Sequence, residues 1–337
     1  MARPEWRIDP GEAERCLDLM RKATTICMPS HQNVDADGFG SPLALVHALK
    51  QFDVNAFVLI SDGKLADSLR FLPGSSQALT YGRTNLPHYD LMCMVDCSDK
   101  RRLGDFYTDD PARVEGDPPI INIDHHITND HFGVVNIVEP RAASTAEIVT
   151  DLLDIWAVEK TVPIAQCLLA GIYGDTLGLR TEATTSRTMR MAADLVDAGA
   201  NPTSITDALF RLKPASTVCV WRHALDHVAW TGTLIWTEVS KAMLSACSAD
   251  ASEAEGLVNF LAGTHGSRAA AILYQNDSGW RISMRSMSSD VDVAAIAAEF
   301  GGGGHPRAAG VQVTGGEAER DAFLETVADR IARKPVA

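Results

Sequence analysis

The sequence contains no apolar run that could cross a lipid bilayer, because no stretch of about 18 or more uncharged apolar residues occurs in its 337 residues. The first seven residues also lack the basic-then-apolar pattern of a secretory signal peptide. Internal repeats and low-complexity tracts are missing as well. These absences exclude membrane-spanning helices and repeat architectures, and they predict a cytoplasmic protein with no membrane partner.

Basic residues are scarce relative to acidic ones. Lys and Arg total 30 against 44 Asp and Glu, which gives a formal net charge of −14. Proteins that capture long nucleic acids usually neutralise phosphates with a basic stripe. The charge therefore excludes long duplexes as partners. Small phosphate esters stay compatible, because bound divalent cations would concentrate positive charge where an anion docks.

The cysteines follow no zinc-binding spacing, and their number, seven, is odd. Most of them lie in apolar runs, which is typical of buried, reduced thiols. For Cys93 and Cys97, four residues apart in a predicted strand, core packing is a better interpretation than a redox pair. We expect reduced, mostly buried thiols throughout the set Cys16, Cys27, Cys93, Cys97, Cys167, Cys219 and Cys247.

A chain of 337 residues with 46% hydrophobic residues is long enough for about two domains. In its first two hundred residues, short apolar runs alternate with helical patterns. Near-continuous apolar strands are typical of parallel sheets with both faces covered, so we expect an α/β fold with a mostly parallel sheet. The predicted strands are 24–29, 54–60, 90–95 and 119–123.

Helix boundaries are marked by capping signals. The pattern Ser144-x-x-Glu147 predicts a capping box at the start of a helix over 145–156. A second apolar helix is predicted over 164–173, ending near Gly171 or Gly174. The other predicted helices of this part of the chain are 39–52 and 186–198.

The sequence changes character after a helical connector. A strand at 233–239, a hairpin of strands 269–275 and 280–286, and a short strand at 311–313 predict a smaller, mixed α/β unit with helices at 291–300 and 317–333. We therefore expect a larger domain at 1–205, a connector at 206–225 and a smaller domain at 226–337.

Acidic and histidine residues follow several of the apolar runs. In His31-x3-Asp35-x-Asp37, a loop after a strand can direct two side chains at one cation and Asp37 at a neighbouring one. Asp96 ends a later strand and could bridge both cations. Carboxylates and imidazoles suit manganese, magnesium or iron, so the pattern favours a hydrolytic dinuclear metal centre. The remaining candidates are Asp124, His125, His126 and Asp175.

Each of these residues has a simpler interpretation when taken alone, since an aspartate such as Asp35 or Asp96 commonly caps a helix or lies in a turn. Several of them at successive strand and helix ends are harder to explain in that way, because ligand sites of α/β proteins form there. Far downstream, the glycines at 301–304 and His305 could hold an anion, although glycine serves ordinary turns equally well.

Several segments resemble the motifs of the DHH phosphoesterases, a family named for an Asp-His-His motif. The segment Asp124–His126 resembles that motif. The segment His31–Ser41 resembles the first motif of the family, with Val34 in place of the usual proline. Val95–Asp99 is similar to the second motif.

The resemblance continues through the rest of the chain. Gly171–Thr176 is similar to the fourth motif, with Gly174 in place of a common threonine and Leu177 in place of a common glycine. Arg285 and the run from 301 to 310 resemble the DHH-associated substrate-binding domain. The resemblance thus implies a catalytic DHH domain at 1–205 and a DHH-associated domain at 226–337.

The resemblance also implies roles for individual residues. One cation is held by His31, Asp35 and Asp96. The other is held by Asp37, Asp96, His125 and Asp175. His126 faces the phosphate, and Asp124 orients the histidines as metal-bound imidazoles require. Manganese is the expected metal, with magnesium, cobalt or iron as alternatives. The expected substrate contacts are Arg285, Gly302, Gly303, Gly304 and His305, with Arg268 as a weaker candidate.

The resemblance points to the branch of nanoRNases and 3′-phosphoadenosine-5′-phosphate (pAp) phosphatases. It implies a hydrolase in which two cations activate water for in-line attack on phosphorus in short RNA or pAp. Alternatives are a cyclic di-AMP or pApA phosphodiesterase and, more distantly, a pyrophosphatase. A metal-dependent nucleotide-binding regulator without turnover is the alternative from another class. The expected partners are small nucleotides, and a homodimer is compatible with the sequence.

Overall fold

The computed structural model describes residues 6–63, 65–254 and 256–332. The chain forms two compact units, Met1–Leu212 and Lys213–Ala337. Each unit has its own sheet and its own hydrophobic core. No helix in the described part of the chain combines the length and the apolar character needed to span a bilayer. Of the first seven residues, for which no signal peptide is predicted, residues 1–5 lie outside the described residues. The last residue of the helix predicted over 317–333 also lies outside them.

The first unit is built on a parallel sheet. Its strands are β1 (Ile26–Pro29), β2 (Ala56–Ile60), β3 (Leu79–Thr80), β4 (Leu91–Val95), β5 (Ile120–Asp124) and β6 (Val135–Val138). They pair in the order β3-β2-β1-β4-β5-β6, and every pairing is parallel. Ile26 and Met28 enter one hydrophobic cluster and Cys27 enters another, so both faces of the sheet are covered. The predicted parallel α/β fold is confirmed.

Eight α-helices of the described residues surround this sheet. They are α1 (Pro10–Lys22), α2 (Ala36–Leu49), α3 (Asp105–Thr108), α4 (Ala112–Glu115), α5 (Thr145–Ile155), α6 (Val162–Thr176), α7 (Ser186–Asp197) and α8 (Pro202–Thr206). A π-helical turn, Asp207–Arg211, follows α8.

The strand order places a topological switch point between β1 and β4. The chain runs outward from β1 through β2 to β3 and then returns to β4 on the other side of β1. In such sheets ligands bind outside the carboxyl ends of the strands at the switch point. His31 follows β1 and Asp96 follows β4, so both predicted ligands lie at this point.

Two helices differ from their predicted bounds. Helix α2 begins at Ala36, because Asp35 accepts the N–H groups of Asp37 and Gly38 and caps it. Helix α6 continues through Gly171 and Gly174 and ends at Thr176, two residues beyond the later of the two glycines near which its end was predicted. The glycines in α6 serve close packing, since a Cβ on Gly174 would lie 2.9 Å from that of Ala36.

The start of α5 carries half of the predicted capping box. The Ser144 side chain accepts the N–H of Glu147 at 3.3 Å. The carboxylate of Glu147, however, accepts the N–H of Ala143 instead of that of Ser144. The helix still begins where the pattern predicts.

Helices α2 and α6 approach each other through glycine. A Cβ on Gly40 would lie 2.6 Å from the carbonyl oxygen of Cys167. A Cβ on Gly171 would lie 2.6 Å from Oδ1 of Asp37 and 2.8 Å from the Cβ of Ala146. Because real Cβ atoms do not approach this closely, both positions require glycine while the helices keep their spacing.

We predict that Gly40→Ala lowers the free energy of unfolding by about 1–3 kcal/mol, the usual range for overpacking a core. The better helix propensity of alanine would offset only about 1 kcal/mol of a larger clash. Urea unfolding of the full chain measures this difference. Gly263→Ala is the control, because a Cβ there would lie 3.5 Å or more from its neighbours and the φ of −78° suits alanine. A Gly40→Ala protein as stable as wild type would contradict the close helix packing.

The second unit is a mixed α/β structure. Its strands are β7 (Ala229–Thr231), β8 (Leu234–Val239), β9 (Ala269–Asn276), β10 (Gly279–Arg285), β11 (Gly303–His305) and β12 (Ala308–Thr314). They pair in the order β11-β12-β10-β9-β8-β7, and only the β8–β9 pairing is parallel. Its helices are α9 (Ala215–Leu225), α10 (Lys241–Ala246), α11 (Leu257–Ala262), α12 (Val293–Ala298) and α13 (Glu317–Ala332).

One pair of cysteines departs from the prediction. Cys219 in α9 and Cys247 at the end of α10 form a disulfide, so the expectation of reduced thiols is wrong for this pair. The other five cysteines are free and buried, as expected. The pairing depends on how α9 packs against α10, which the spacing of 28 residues does not reveal.

Candidate metal centre

His31 presents an unpaired ring nitrogen at the end of β1. Its Nδ1 donates to the carbonyl oxygen of Gln32 at 2.9 Å, which leaves a lone pair on Nε2. Nε2 is buried and has no hydrogen-bond partner among the described residues. It lies 3.6 Å from Oδ2 of Asp96 and 3.9 Å from Oδ1 of Asp35. A lone pair facing two carboxylates is an arrangement that a cation would satisfy.

The backbone leaves room beside that nitrogen. A Cβ on Gly38 would lie 2.4 Å from Nε2 of His31 and 3.3 Å from Oδ2 of Asp96. Any side chain at this position would therefore enter the space between the imidazole and the carboxylate. Gly38 keeps that space open, as a site for a metal ion requires.

Asp37 lies in the first turn of α2, fully buried and well supplied with donors. Its carboxylate accepts the N–H groups of Thr145 at 2.6 Å and Ala146 at 2.9 Å, and the hydroxyl of Ser41 at 2.8 Å. The two N–H groups belong to the first turn of α5, where the helix dipole favours a negative charge. Helix α5 therefore holds Asp37 in place.

Asp96 lies between two groups of ligands, directly after β4. Its Oδ2 faces His31, whereas its Oδ1 is 3.5 Å from Nε2 of His125 and 3.7 Å from Nδ1 of His126. Oδ1 also accepts the hydroxyl of Thr145 at 2.9 Å. The backbone of Asp96 has φ of 58°, a left-handed conformation that costs energy and is concentrated at functional sites.

The Asp-His-His segment is organised by its aspartate. Oδ1 of Asp124 accepts the N–H groups of His125 and His126, and also Nδ1 of His126 at 2.7 Å. Oδ2 accepts from the side-chain amide of Asn129 at 2.6 Å. Asp124 therefore orients both histidines from behind. His125 directs Nε2 at Oδ2 of Asp175, 3.1 Å away in the last turn of α6.

The side chains assemble into three overlapping groups whose potential ligand atoms lie within 4.8 Å of one another. All six predicted metal ligands belong to at least one group. Asp96 and His125 each belong to two. The groups are His31, Asp35 and Asp96; Asp37, His125 and Asp175; and Asp96, His125 and His126.

The electrostatics of these side chains reflect crowded negative charge. Burial raises the pKa of Asp175 to about 6 despite the nearby imidazole of His125. Burial and the carboxylates of Asp175 and Asp96 raise the pKa of Asp37 well above its ordinary value. Burial alone would lower the pKa of His125, but Asp175 and Asp96 raise it to about 10. A bound dication would neutralise the same charge that holds these protons.

The pKa values of Asp96 and His31 are also shifted by their charged neighbours. Burial acts to raise the pKa of Asp96, but the imidazoles of His31, His125 and His126 lower it to about 2. Burial acts to lower the pKa of His31, but Asp96 and Asp35 raise it above its ordinary value. Oxygen and nitrogen donors of this kind fit manganese or magnesium better than a thiophilic ion.

The hydrogen-bond donors that hold the predicted ligands in position were not predicted from the sequence. Thr145 contacts two predicted ligands, through its N–H to Asp37 and its hydroxyl to Asp96. The capping signal at Ser144 identified the start of α5. It could not show that this helix start points at Asp37, because the two lie 108 residues apart.

The predicted substrate contacts belong to the second unit. Strand pairing places Ala308 opposite Arg285 on one side and opposite His305 on the other. Directly opposite residues share a face of the sheet, so the side chains of Arg285 and His305 flank that of Ala308, roughly 10 Å apart. Arg285 is half-buried, and burial lowers its pKa. Its contacts are to the side chain of Asn259 and the carbonyl of Met284.

The glycine run spans the end of α12 and the hairpin strand β11, and its role in binding an anion stays a prediction. The N–H groups of Gly301 and Gly302 bond to carbonyls of α12. Gly302 and Gly304 are also explained by packing, since a Cβ on either would lie 2.3 Å from a carbonyl oxygen of β12. A Cβ on Gly303 meets nothing within 4 Å, so packing does not account for this glycine.

Arg268 is engaged within its own unit. Its guanidinium donates to the carboxylate of Asp290 at 2.6 Å and also to the carbonyl of Ile331 near the end of α13. These contacts favour a structural role, in which Arg268 holds the start of strand β9 against neighbouring segments of the second unit.

Comparison with known proteins identifies the family. Residues 25–172 match the model of the DHH family, N-terminal domain, and residues 240–333 match the DHHA1 domain. The chain is 31% identical over 315 residues to the bifunctional oligoribonuclease and PAP phosphatase NrnA of Thermus thermophilus, covering 91% of this chain and 90% of that protein. The chain belongs to the DHH family of phosphoesterases. It is therefore a hydrolase of phosphate esters that uses divalent metal, as the motifs predicted.

Two further similarities extend the comparison of this DHH phosphoesterase. The chain is 26% identical over 330 residues to the cyclic-di-AMP phosphodiesterase PdeA of Listeria monocytogenes, covering 90% of this chain and 47% of that protein. The crystal structure of an exopolyphosphatase-related protein from Bacteroides fragilis matches with a TM-score of 0.88 at 22% identity, covering 98% of this chain and 100% of the other. That structure confirms the fold.

We predict that Asp96→Asn and His126→Ala affect metal binding differently. Asparagine tolerates the left-handed backbone at position 96 but removes the charge that faces both ligand groups, so metal content should fall at both sites. His126→Ala should keep its metals, because Nδ1 of His126 is bonded to Asp124, and should lose hydrolysis rate by about 10²–10⁴. Elemental analysis after dialysis measures the metal content.

Two controls accompany these variants. Asp99→Asn keeps a helix-capping side chain near β4 that contacts Arg101 and none of the ligands. His131→Asn removes an imidazole just beyond the motif while tolerating the left-handed φ of 52°. Two ions per chain in Asp96→Asn would overturn the bridging role, and metal loss in His126→Ala would make His126 a ligand.

Proposed function

We propose that this phosphoesterase uses a dinuclear metal centre to release mononucleotides from short oligoribonucleotides and phosphate from pAp. The observation that carries the proposal is the position of Asp96, whose two oxygens face two separate groups of ligands. The name of the Thermus thermophilus relative, an oligoribonuclease and PAP phosphatase, supports the substrate class.

The proposed ligand assignment follows the overlapping groups. His31, Asp35 and Asp96 hold one cation, whereas Asp37, Asp96, His125 and Asp175 hold the other. Manganese fits this nitrogen and oxygen donor set, with magnesium, cobalt or iron as alternatives. Two cations bound here would polarise the phosphate and lower the pKa of the attacking water.

The residues around the cations act on the substrate directly. Asp124 accepts from Nδ1 of His126, so Nε2 is the nitrogen that His126 presents to a phosphate or a leaving oxygen. We assign His126 the stabilisation of charge on the phosphoryl oxygens or protonation of the leaving group. Asp124 fixes the ring orientation that this role requires.

Substrate selection is assigned to the second unit. Arg285 uses two of its five N–H donors on Asn259 and Met284, and no carboxylate of the described residues pairs with it. A half-buried guanidinium without a carboxylate partner is suited to an anionic ligand. His305 is exposed on strand β11, which is separated from the strand of Arg285 by β12, and a Cβ on Gly303 meets nothing within 4 Å, so both could contact the same phosphate chain or base.

The same centre is compatible with cyclic di-AMP or linear pApA hydrolysis. The named activity of the Listeria monocytogenes relative favours this second candidate, although the chain spans only 47% of that relative. Inorganic pyrophosphatase activity is a more distant alternative. The complete ligand set argues against a regulator that has lost turnover. Homodimer formation stays a prediction.

We predict that, with manganese, the purified chain hydrolyses pAp and RNA of a few nucleotides faster than cyclic di-AMP, pApA or pyrophosphate. Chromatography of the products from one substrate panel measures the rates. The double variant Asp37→Asn with Asp175→Asn is the control for contaminating nucleases. Preference for cyclic di-AMP or pApA would establish the second candidate. If the ligands stabilised the protein but no substrate gave a product, the nucleotide-binding regulator would be the remaining candidate.

We predict that Arg285→Ala and His305→Ala each reduce kcat/KM on nucleotides by roughly tenfold to 150-fold, the equivalent of about 1.5–3 kcal/mol for one charge-assisted contact. A minimal ester such as p-nitrophenyl phosphate should be spared, because it carries no second phosphate and no nucleobase for these residues to bind. Arg281→Ala, at an exposed position of the same strand, is the control. Equal losses on the minimal ester would assign these residues to the chemical step or the fold.

A further inference from the structure

The disulfide of the second unit lies within a larger group of metal-binding side chains. Cys219 lies on α9 and Cys247 at the end of α10, with their Cα atoms 5.7 Å apart. His223 follows Cys219 by one helical turn, so both side chains share one face of α9. A potential ligand nitrogen of His223 lies within 4.8 Å of both sulfur atoms. Neither the metal centre nor the predicted substrate contacts include any of these residues.

The imidazole of His223 has a ring nitrogen that accepts a hydrogen bond. Nη2 of Arg222 lies 3.0 Å from Nε2 of His223. A guanidinium can only donate, so Nε2 accepts and carries a lone pair. An imidazole binds a cation through such a lone pair.

Cys219 and Cys247 also differ from the other cysteines. The five free cysteines are fully buried, and burial raises the pKa of the Cys16 and Cys97 thiols to about 12. Such thiols neither ionise nor reach solvent. Cys219 is only partly buried, so the disulfide is less enclosed than the five free thiols.

We propose that Cys219, His223 and Cys247 bind a thiophilic dication such as Zn²⁺ when their disulfide is reduced. Two thiolates and one imidazole supply three positions of a tetrahedral zinc site, and water can take the fourth. This donor set separates the site from the metal centre of the first unit, whose ligands are all oxygen and nitrogen.

The exchange between disulfide and metal site is a balanced reaction. A dithiol reductant donates two electrons, becomes a disulfide itself, and converts Cys219 and Cys247 into thiols. The thiols then release two protons as their sulfur atoms bind the dication. Oxidation by a disulfide reverses both steps and expels the metal. In either state α9 is linked to the end of α10, whereas the reduced, metal-free protein lacks this link.

Cobalt substitution tests the site in the full-length protein. Thiolate ligands give bound Co²⁺ an intense near-ultraviolet charge-transfer band that nitrogen and oxygen ligands do not give. We expect this band, at one Co²⁺ per chain, only after reduction with a phosphine, and its displacement by Zn²⁺. Cobalt bound at the first unit contributes no such band, so failure of the proposed hydrolase function would not affect this readout.

Variants locate the ligands. Cys219→Ser, Cys247→Ser and His223→Gln should lose or strongly weaken the band, whereas His227→Gln, one turn further along and exposed, should keep it. No band in the reduced wild type would overturn the proposal. A band that survives in both serine variants would also overturn it, because the thiolate would then come from elsewhere.

Alkylation gives a measurement that does not depend on variants folding. Brief iodoacetamide treatment of the native protein should add no groups before reduction and two groups after it, since the other five thiols are buried. Equimolar Zn²⁺ should prevent both additions. Two additions with and without Zn²⁺ would show that the pair binds no metal. Reduction only on unfolding would leave a purely structural disulfide and refute the proposal.

Discussion

Buried carboxylates must be balanced by positive charge or hydrogen-bond donors, and this requirement organises the first unit. Asp37 and Asp96 are almost fully buried within one pocket of side chains. The first turn of α5 directs N–H groups at Asp37, and Thr145 donates to Asp96. These contacts offset only part of the charge. The rest of the negative charge must be neutralised by protons on the histidines or by metal ions. Metal binding and the stability of the fold are therefore coupled.

The tight packing of α2 against α6 follows from the same requirement. Asp37 lies at the start of α2, and Asp175 lies in the last turn of α6. A Cβ on Gly171 would lie 2.6 Å from Oδ1 of Asp37. The absence of a side chain at Gly171 therefore leaves space for the carboxylate between the helices. The residues that set the helix spacing therefore also set the distance between the carboxylates of Asp37 and Asp175. A substitution that spreads these helices would move the carboxylates apart even without touching a ligand.

The sequence predicts which acidic and histidine side chains come together, because each follows a strand or lies at a helix end and a parallel sheet brings such ends together. It predicts the supporting contacts poorly, because Thr145 and Asp37 meet only through tertiary structure. Glycine is ambiguous for a physical reason: it can end a helix, as expected in α6, or permit close packing, as found at Gly174. The pairing of Cys219 with Cys247 likewise depends on packing between helices.

Two departures from the family pattern show how Asp175 keeps its position. Gly174 replaces a common threonine, and a Cβ there would lie 2.9 Å from that of Ala36, so the glycine suits a closer approach of α2. Leu177 replaces a common glycine and adopts the left-handed C-cap conformation at φ 51°. For leucine this conformation costs about 1–2 kcal/mol. The N–H of Gly178 bonds to the carbonyl of Tyr173 at 2.8 Å and closes the last turn, so the helix end that carries Asp175 is retained despite that cost.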